Sequence, residues 1–106
     1  METSKDQMKK LKLAVLVSGS GTNLQSLIDA QKEGYFNSEI ALVVSNKTSA
    51  YGLKRAENAG IKAIVIKSDK ELLDTLLENE IDLIVLAGYL KVISPELINA
   101  YENKII

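Results

Sequence analysis

The chain has 106 residues, 46% of them hydrophobic and 25% charged, with 13 basic against 14 acidic groups and a net charge of −1. That is one soluble domain's worth of material, without room for a second core and without the basic footprint of a nucleic-acid binder. It contains no cysteine and no histidine, which excludes a disulfide framework, a thiolate nucleophile, a cysteine-based zinc site and the commonest general base near neutral pH.

Residues 1–10, METSKDQMKK, carry no hydrophobic periodicity and read as a disordered leader before a single domain over residues 11–106. The stretch from Met8 to Val17 has a basic start and then apolar residues, as a secretory signal does. Its apolar part runs only from Leu11 to Val17, however, and Lys12 interrupts it, so a buried first strand is the better reading. No other segment approaches membrane-spanning length, and a cytoplasmic protein without a membrane partner is expected.

After the leader, short apolar runs alternate with helical patterns. LKLAVLV predicts the first strand, and Leu24, Leu27 and Ile28 recur at helical spacing within a first helix over 23–32. EIALVVS at 39–45 predicts a second strand. A second helix over 50–58 is expected to be capped by Ser49, to turn Leu53 and Ala56 inward, and to stop at Gly60. KAIVI at 62–66 is the third strand. Ser68 and Glu71 form a capping box ahead of a helix with the stripe Leu72, Leu73, Leu76 and Leu77.

DLIVLAG at 82–88 is a fourth strand, apolar on both faces and therefore expected inside the sheet. Ser94-Pro95-Glu96 opens a short helix with Leu97, Ile98 and Tyr101 inward, and NKII is expected to begin a fifth strand. Strands that are apolar throughout, separated by amphipathic helices, imply a doubly wound, Rossmann-like parallel sheet of the α/β class. Its ligand crevice is expected beyond the carboxyl ends of the strands, where strand order reverses.

The loop Ser18-Gly19-Ser20-Gly21-Thr22-Asn23 joins the first strand to the first helix at that crevice. A loop feeding a helix offers unpaired first-turn amides at the positive end of the helix dipole, and glycines admit an anion close to the backbone. The dinucleotide fingerprint would need glycine at Leu24 and an acid after the second strand, where Asn46 and Lys47 stand; a P-loop would need Gly-Lys-Ser/Thr, which never occurs. What remains is a monophosphate cradle on the amides of Gly21, Thr22 and Asn23 with help from the Thr22 hydroxyl, or a tight turn with no ligand. If the cradle is right, a valine at Gly21 is expected to block the anion with little loss of fold.

The stretches VLVSGSGTNLQSLIDA, VVSNK, YGLKRAENAGI and LIVLAGYLKVISPELI, in register from Leu11 onward, resemble the folate-dependent phosphoribosylglycinamide formyltransferases. The combination of Ser-Gly-x-Gly-Thr-Asn-Leu-Gln with Leu-Ala-Gly-Tyr-x-Lys is far more specific than a lone glycine motif. The resemblance implies an enzyme of purine synthesis that moves a formyl group from 10-formyltetrahydrofolate to glycinamide ribonucleotide, with no metal. It implies that Gly21, Thr22 and Asn23 hold the phosphate of glycinamide ribonucleotide. It also implies that Leu90, Lys91, Val92 and Ile93 line the pterin of the donor through backbone groups, with Lys70 a basic residue of the same donor site.

Bland roles stand beside these: Lys70 as a surface lysine, Leu90, Val92 and Ile93 as core residues, Asn46 and Lys47 as turn residues, Tyr51 and Tyr89 as packing aromatics. The family's catalytic Asn-x-His-Pro-Ser stretch would follow Ile106 in register, and no catalytic residue is assigned within the chain. The expectation is therefore the N-terminal part of such an enzyme, inactive alone and prone to self-association along the side of strands four and five. The alternative is a non-catalytic phosphate- or nucleotide-binding module of the same fold.

Overall fold

The computed structural model describes residues 10–106, so the expected leader lies outside the described residues except for Lys10. Four strands alternate with four helices: β1 (Lys12–Val17), α1 (Thr22–Lys32), β2 (Glu39–Ser45), α2 (Tyr51–Asn58), β3 (Lys62–Val65), α3 (Asp69–Glu78), β4 (Leu83–Leu86) and α4 (Pro95–Ala100). The strands form one parallel sheet in the order β3-β2-β1-β4. The chain thus winds outward from β1 through β2 to β3, then crosses back to lay β4 on the other side of β1. The reversal falls between β1 and β4, where a crevice opens at the carboxyl ends.

Period-two alternation along β1 divides the core. Leu13, Val15 and Val17 pack with Leu24, Ile28 and Ala56 on one face, while Ala14 and Leu16 pack with Leu72, Leu76, Leu97 and Tyr101 on the other. In β2 the alternation slips: Ile40 and Val43 share the first face, whereas Leu42 and Val44 share the second. The cause is a register shift, in which Leu13 pairs with Ile40 but Ala14 pairs with Leu42. Ala41 is the extra residue of a bulge that resets which side chains face each helix layer.

Several sequence expectations change in detail. Ser49 does not cap α2; Ala50 occupies the cap position without a side-chain bond. A carbonyl from another part of the chain serves instead, because the Gly52 amide donates to Gly19 O at 3.1 Å. Ser68 and Ser94 do cap their helices, accepting from the amides of Glu71 and Leu97. Gly60 ends the α2 segment at φ 76, as a glycine stop should. Leu77 and Ile98 sit outside the inner stripes and are exposed, while Leu72, Leu76, Leu97 and Tyr101 are buried.

β4 is shorter than expected and is not enclosed by two full neighbours. Its inner edge pairs with β1 through Leu83–Leu86. Its outer edge meets the short stretch Lys104–Ile106 through a bridge from Ile84 to Ile105, with Ile84 N donating to Lys104 O at 2.8 Å, Leu86 N to Ile106 O at 2.7 Å and Ile106 N to Ile84 O at 2.9 Å. Leu86 is consequently 37% exposed. Among the described residues no helix is long and apolar enough to cross a membrane.

Candidate functional site

The loop after β1 turns into α1 at Gly21, whose φ of 76 and ψ of 27 place it in the left-handed region. A side chain there would be strained, and its Cβ would lie 2.6 Å from the Gly52 Cα. Gly21 is therefore required by the packing of the loop on α2, whatever the loop binds. A valine at this position would disturb the fold, contrary to the expectation from sequence.

The four helix N-termini differ in a way that singles out α1. α3 and α4 each carry a serine cap and acidic residues in the first turn. The start of α2 receives the Gly19 carbonyl. α1, like α2, has neither a side-chain cap nor an acidic residue in its first turn. Its first intrahelical bond runs from the Gln25 amide to Gly21 O, 2.9 Å, so the amides of Thr22, Asn23 and Leu24 have no partner within the helix ladder. Thr22 and Asn23 are exposed at the mouth of an open recess of about 190 Å³, lined by Gly19–Asn23 together with Ala87, Gly88 and Leu90. The recess is small, and the positive end of the α1 dipole faces it.

Two loops meet there, and Ser18 joins them. Buried at the end of β1, its hydroxyl donates to Asn46 Oδ1 at 2.6 Å and accepts from the Leu90 amide at 2.8 Å. The segment after β4 is thereby tied to the loop after β1. Asn46 is more than a turn residue, since it completes this partly buried chain of hydrogen bonds. No sequence spacing signals it, because the three residues follow three separate strands.

Of the residues expected in a donor site, Leu90 and Val92 are 76% and 85% exposed, and so are not core residues. Ile93 is half-buried and packs on the core with Tyr89. The Leu90 amide is already used by Ser18, so backbone recognition along this segment falls to the groups that follow it. Lys91 bonds Asp69 Oδ1 at 2.5 Å, which bridges the segment to the first turn of α3. That bond to the carboxylate holds the Lys91 ammonium above its ordinary 10.5, while burial raises the Tyr89 phenol.

Lys70 is exposed beside Lys91's partner, with Asp74 at 4.0 Å. Asp69, Lys70, Leu73, Asp74, Ser94 and Glu96 surround a cavity of about 440 Å³. Thus Lys70 lines this cavity, Lys91 is tied to Asp69 beside it, and Leu90 alone of the expected donor-site residues lines the recess at the glycine loop. Among the described residues no cluster of carboxylates could hold a metal ion.

A parallel sheet with its reversal beside β1 defines an α/β, Rossmann-like protein, in which an uncapped helix start faces the segment after β4 at the sheet's carboxyl end. The formyl transferase family profile matches residues 11–106, and the chain belongs to that family. It is 43% identical over 104 residues to phosphoribosylglycinamide formyltransferase of Haemophilus influenzae, covering 90% of this chain and 49% of that protein. It is 40% identical over 111 residues to the trifunctional purine biosynthetic protein adenosine-3 of Gallus gallus, covering 96% of this chain and 11% of that one. The crystal structure of glycinamide ribonucleotide transformylase 1 from Geobacillus kaustophilus superimposes with a TM-score of 0.87 at 39% identity, over 92% of this chain and 56% of that one. The chain spans about half the length of the bacterial relatives it matches.

Proposed function

We propose that this chain forms the phosphate-holding part and one wall of the donor site of a cytoplasmic phosphoribosylglycinamide formyltransferase of purine biosynthesis. The observation that carries the reading is the start of α1: unlike α3 and α4 it lacks both cap and first-turn acid, and it faces the recess between the two loops. Gly21, Thr22 and Asn23 would hold the phosphate of glycinamide ribonucleotide through backbone amides, with the Thr22 hydroxyl as a further donor. The segment Leu90, Lys91, Val92 and Ile93 would lie along 10-formyltetrahydrofolate largely through backbone groups, with Lys70 a basic residue of the same donor site.

In the reaction the substrate amine attacks the formyl carbon, the bond from that carbon to the folate nitrogen breaks, and the amine's proton ends on the departing nitrogen. The tetrahedral intermediate carries an oxyanion that needs preorganised donors, and the proton needs a carrier. The residues of this chain bind and orient; the reaction centre is proposed to lie outside them. The 106-residue chain is accordingly expected to bind glycinamide ribonucleotide in a calorimetric titration and to show no formyl transfer. Heat of binding absent at millimolar ligand would contradict the site, and measurable transfer would contradict the division of labour.

Self-association follows from the outer edge of β4. Beside its two-residue bridge, the apolar residues Leu86, Ile93, Ile98 and Ile105 line a groove of about 500 Å³. A second copy would cover this apolar groove beside the β4 edge. Sedimentation at several concentrations should give a mass that rises above the monomer; a monomer at high micromolar concentration would contradict it.

A further inference from the structure

Helix α2 is not part of the recess, yet it holds the glycine loop from behind. Arg55 Nε donates to Ser20 O at 2.7 Å, and Arg55 Nη1 donates to Gln25 Oε1 on α1 at 3.3 Å. The guanidinium lies over the Tyr51 ring, 5.0 Å from its centroid, so Tyr51 serves as a half-exposed platform and not as a core aromatic. One turn away, the Gly52 amide bonds Gly19 O. Gly52 itself leaves no room for a side chain, since a Cβ there would sit 3.0 Å from Val17 Cγ2 and 3.4 Å from the Gly21 Cα.

We propose that Arg55 is a positioning residue for the anion site, fixing the glycine loop against α2 so that the α1 amides face the recess. This rests on the phosphate reading of the loop. Arg55 is absent from the residues lining the recess, which argues that it works through the loop and not as a direct ligand. Its planar fork makes two bonds at once, to the loop and to α1, while its face rests on Tyr51. A lysine keeps the charge but offers neither the fork nor the stacking face.

The test uses the whole chain with inorganic phosphate as probe, together with backbone amide exchange. Arg55→Ala and Arg55→Lys should both weaken phosphate binding about tenfold, as loss of a charge-assisted hydrogen bond implies. In both variants the Gly52 and Gln25 amides, which bond the loop at Gly19 and Gly21, should exchange at least about tenfold faster, while Val15 and Val43 stay protected. Tyr51→Ala should give the same pattern at smaller amplitude. Wild-type affinity in Arg55→Lys would show that only charge matters and would overturn the proposal. Unchanged Gly52 and Gln25 exchange in Arg55→Ala would overturn it equally. If the unmodified chain binds no phosphate, the functional reading fails, but the exchange data still decide whether Arg55 fixes the loop.

Discussion

The loop after β1 and the segment after β4 face each other across one recess, but they are built by opposite means. The first is held from three sides: by the turn at Gly21, by the Gly19–Gly52 bond, and by Arg55 on Ser20 O. It presents backbone, and its donors lie on consecutive residues. The second presents apolar side chains to solvent at Leu90 and Val92, and it is fastened at Ser18 and at Asp69. A backbone anion site can be completed within a dozen residues, because a helix start supplies its donors ready oriented. A wall for a large, flat, partly apolar ligand needs surfaces from several parts of a chain.

Substitution at Gly21 breaks the contrast most forcefully. Gly21→Val should lose about 3 kcal/mol or more, from left-handed strain and overpacking against Gly52, and chemical denaturation would register it. A variant that is as stable as the parent would mean the loop is not packed against α2 as described.

Ser18→Ala sharpens the link between the two regions. It leaves the Leu90 amide and Asn46 Oδ1 without a partner, at a cost of about 1–3 kcal/mol. Amide exchange should accelerate at Leu90 while the hydrogen bond from Gly52 to Gly19 stays protected. Equal acceleration at both would show that the two loops open as one unit.

The smallest effect is expected at the Asp69–Lys91 pair, which is partly exposed and worth little to the fold. Because Lys91 is raised above 10.5 in the folded state, its contribution is fully present below that value and is lost as pH rises through the folded value. The difference in melting temperature between the parent and Asp69→Asn should be small and constant through neutral pH, then vanish in strong alkali. A difference that changes between pH 6 and 8 would contradict the assignment.

The layout of elements was legible because it depends on local patterns: the apolar runs gave four strands within one or two residues, and Ser68 and Ser94 acted as the caps their spacing implied. The loop from Ser18 to Asn23 was legible as the junction of β1 and α1 for the same reason, since its residues are neighbours in sequence. What stayed hidden depends on contacts between distant residues. Ser49 lost its capping role to a carbonyl 33 positions away from the amide it would serve. Ser18, Asn46 and Leu90 meet only once three strands are aligned, and Arg55 on α2 reaches Ser20 across 35 positions of sequence. The intolerance of Gly21 is hidden as well, because the clash that fixes it as glycine comes from Gly52.

We propose the start of α1 as an anion site that this chain holds by itself. The most direct measurement is a backbone amide titration by nuclear magnetic resonance, adding inorganic phosphate and then glycinamide ribonucleotide to the 106-residue protein. The account predicts saturable shifts largest at Gly21, Thr22 and Asn23, shared by both ligands, with those at Lys70 and Lys91 small. Shifts centred on Lys70 and Lys91, or no saturable shift at the α1 start, would contradict it.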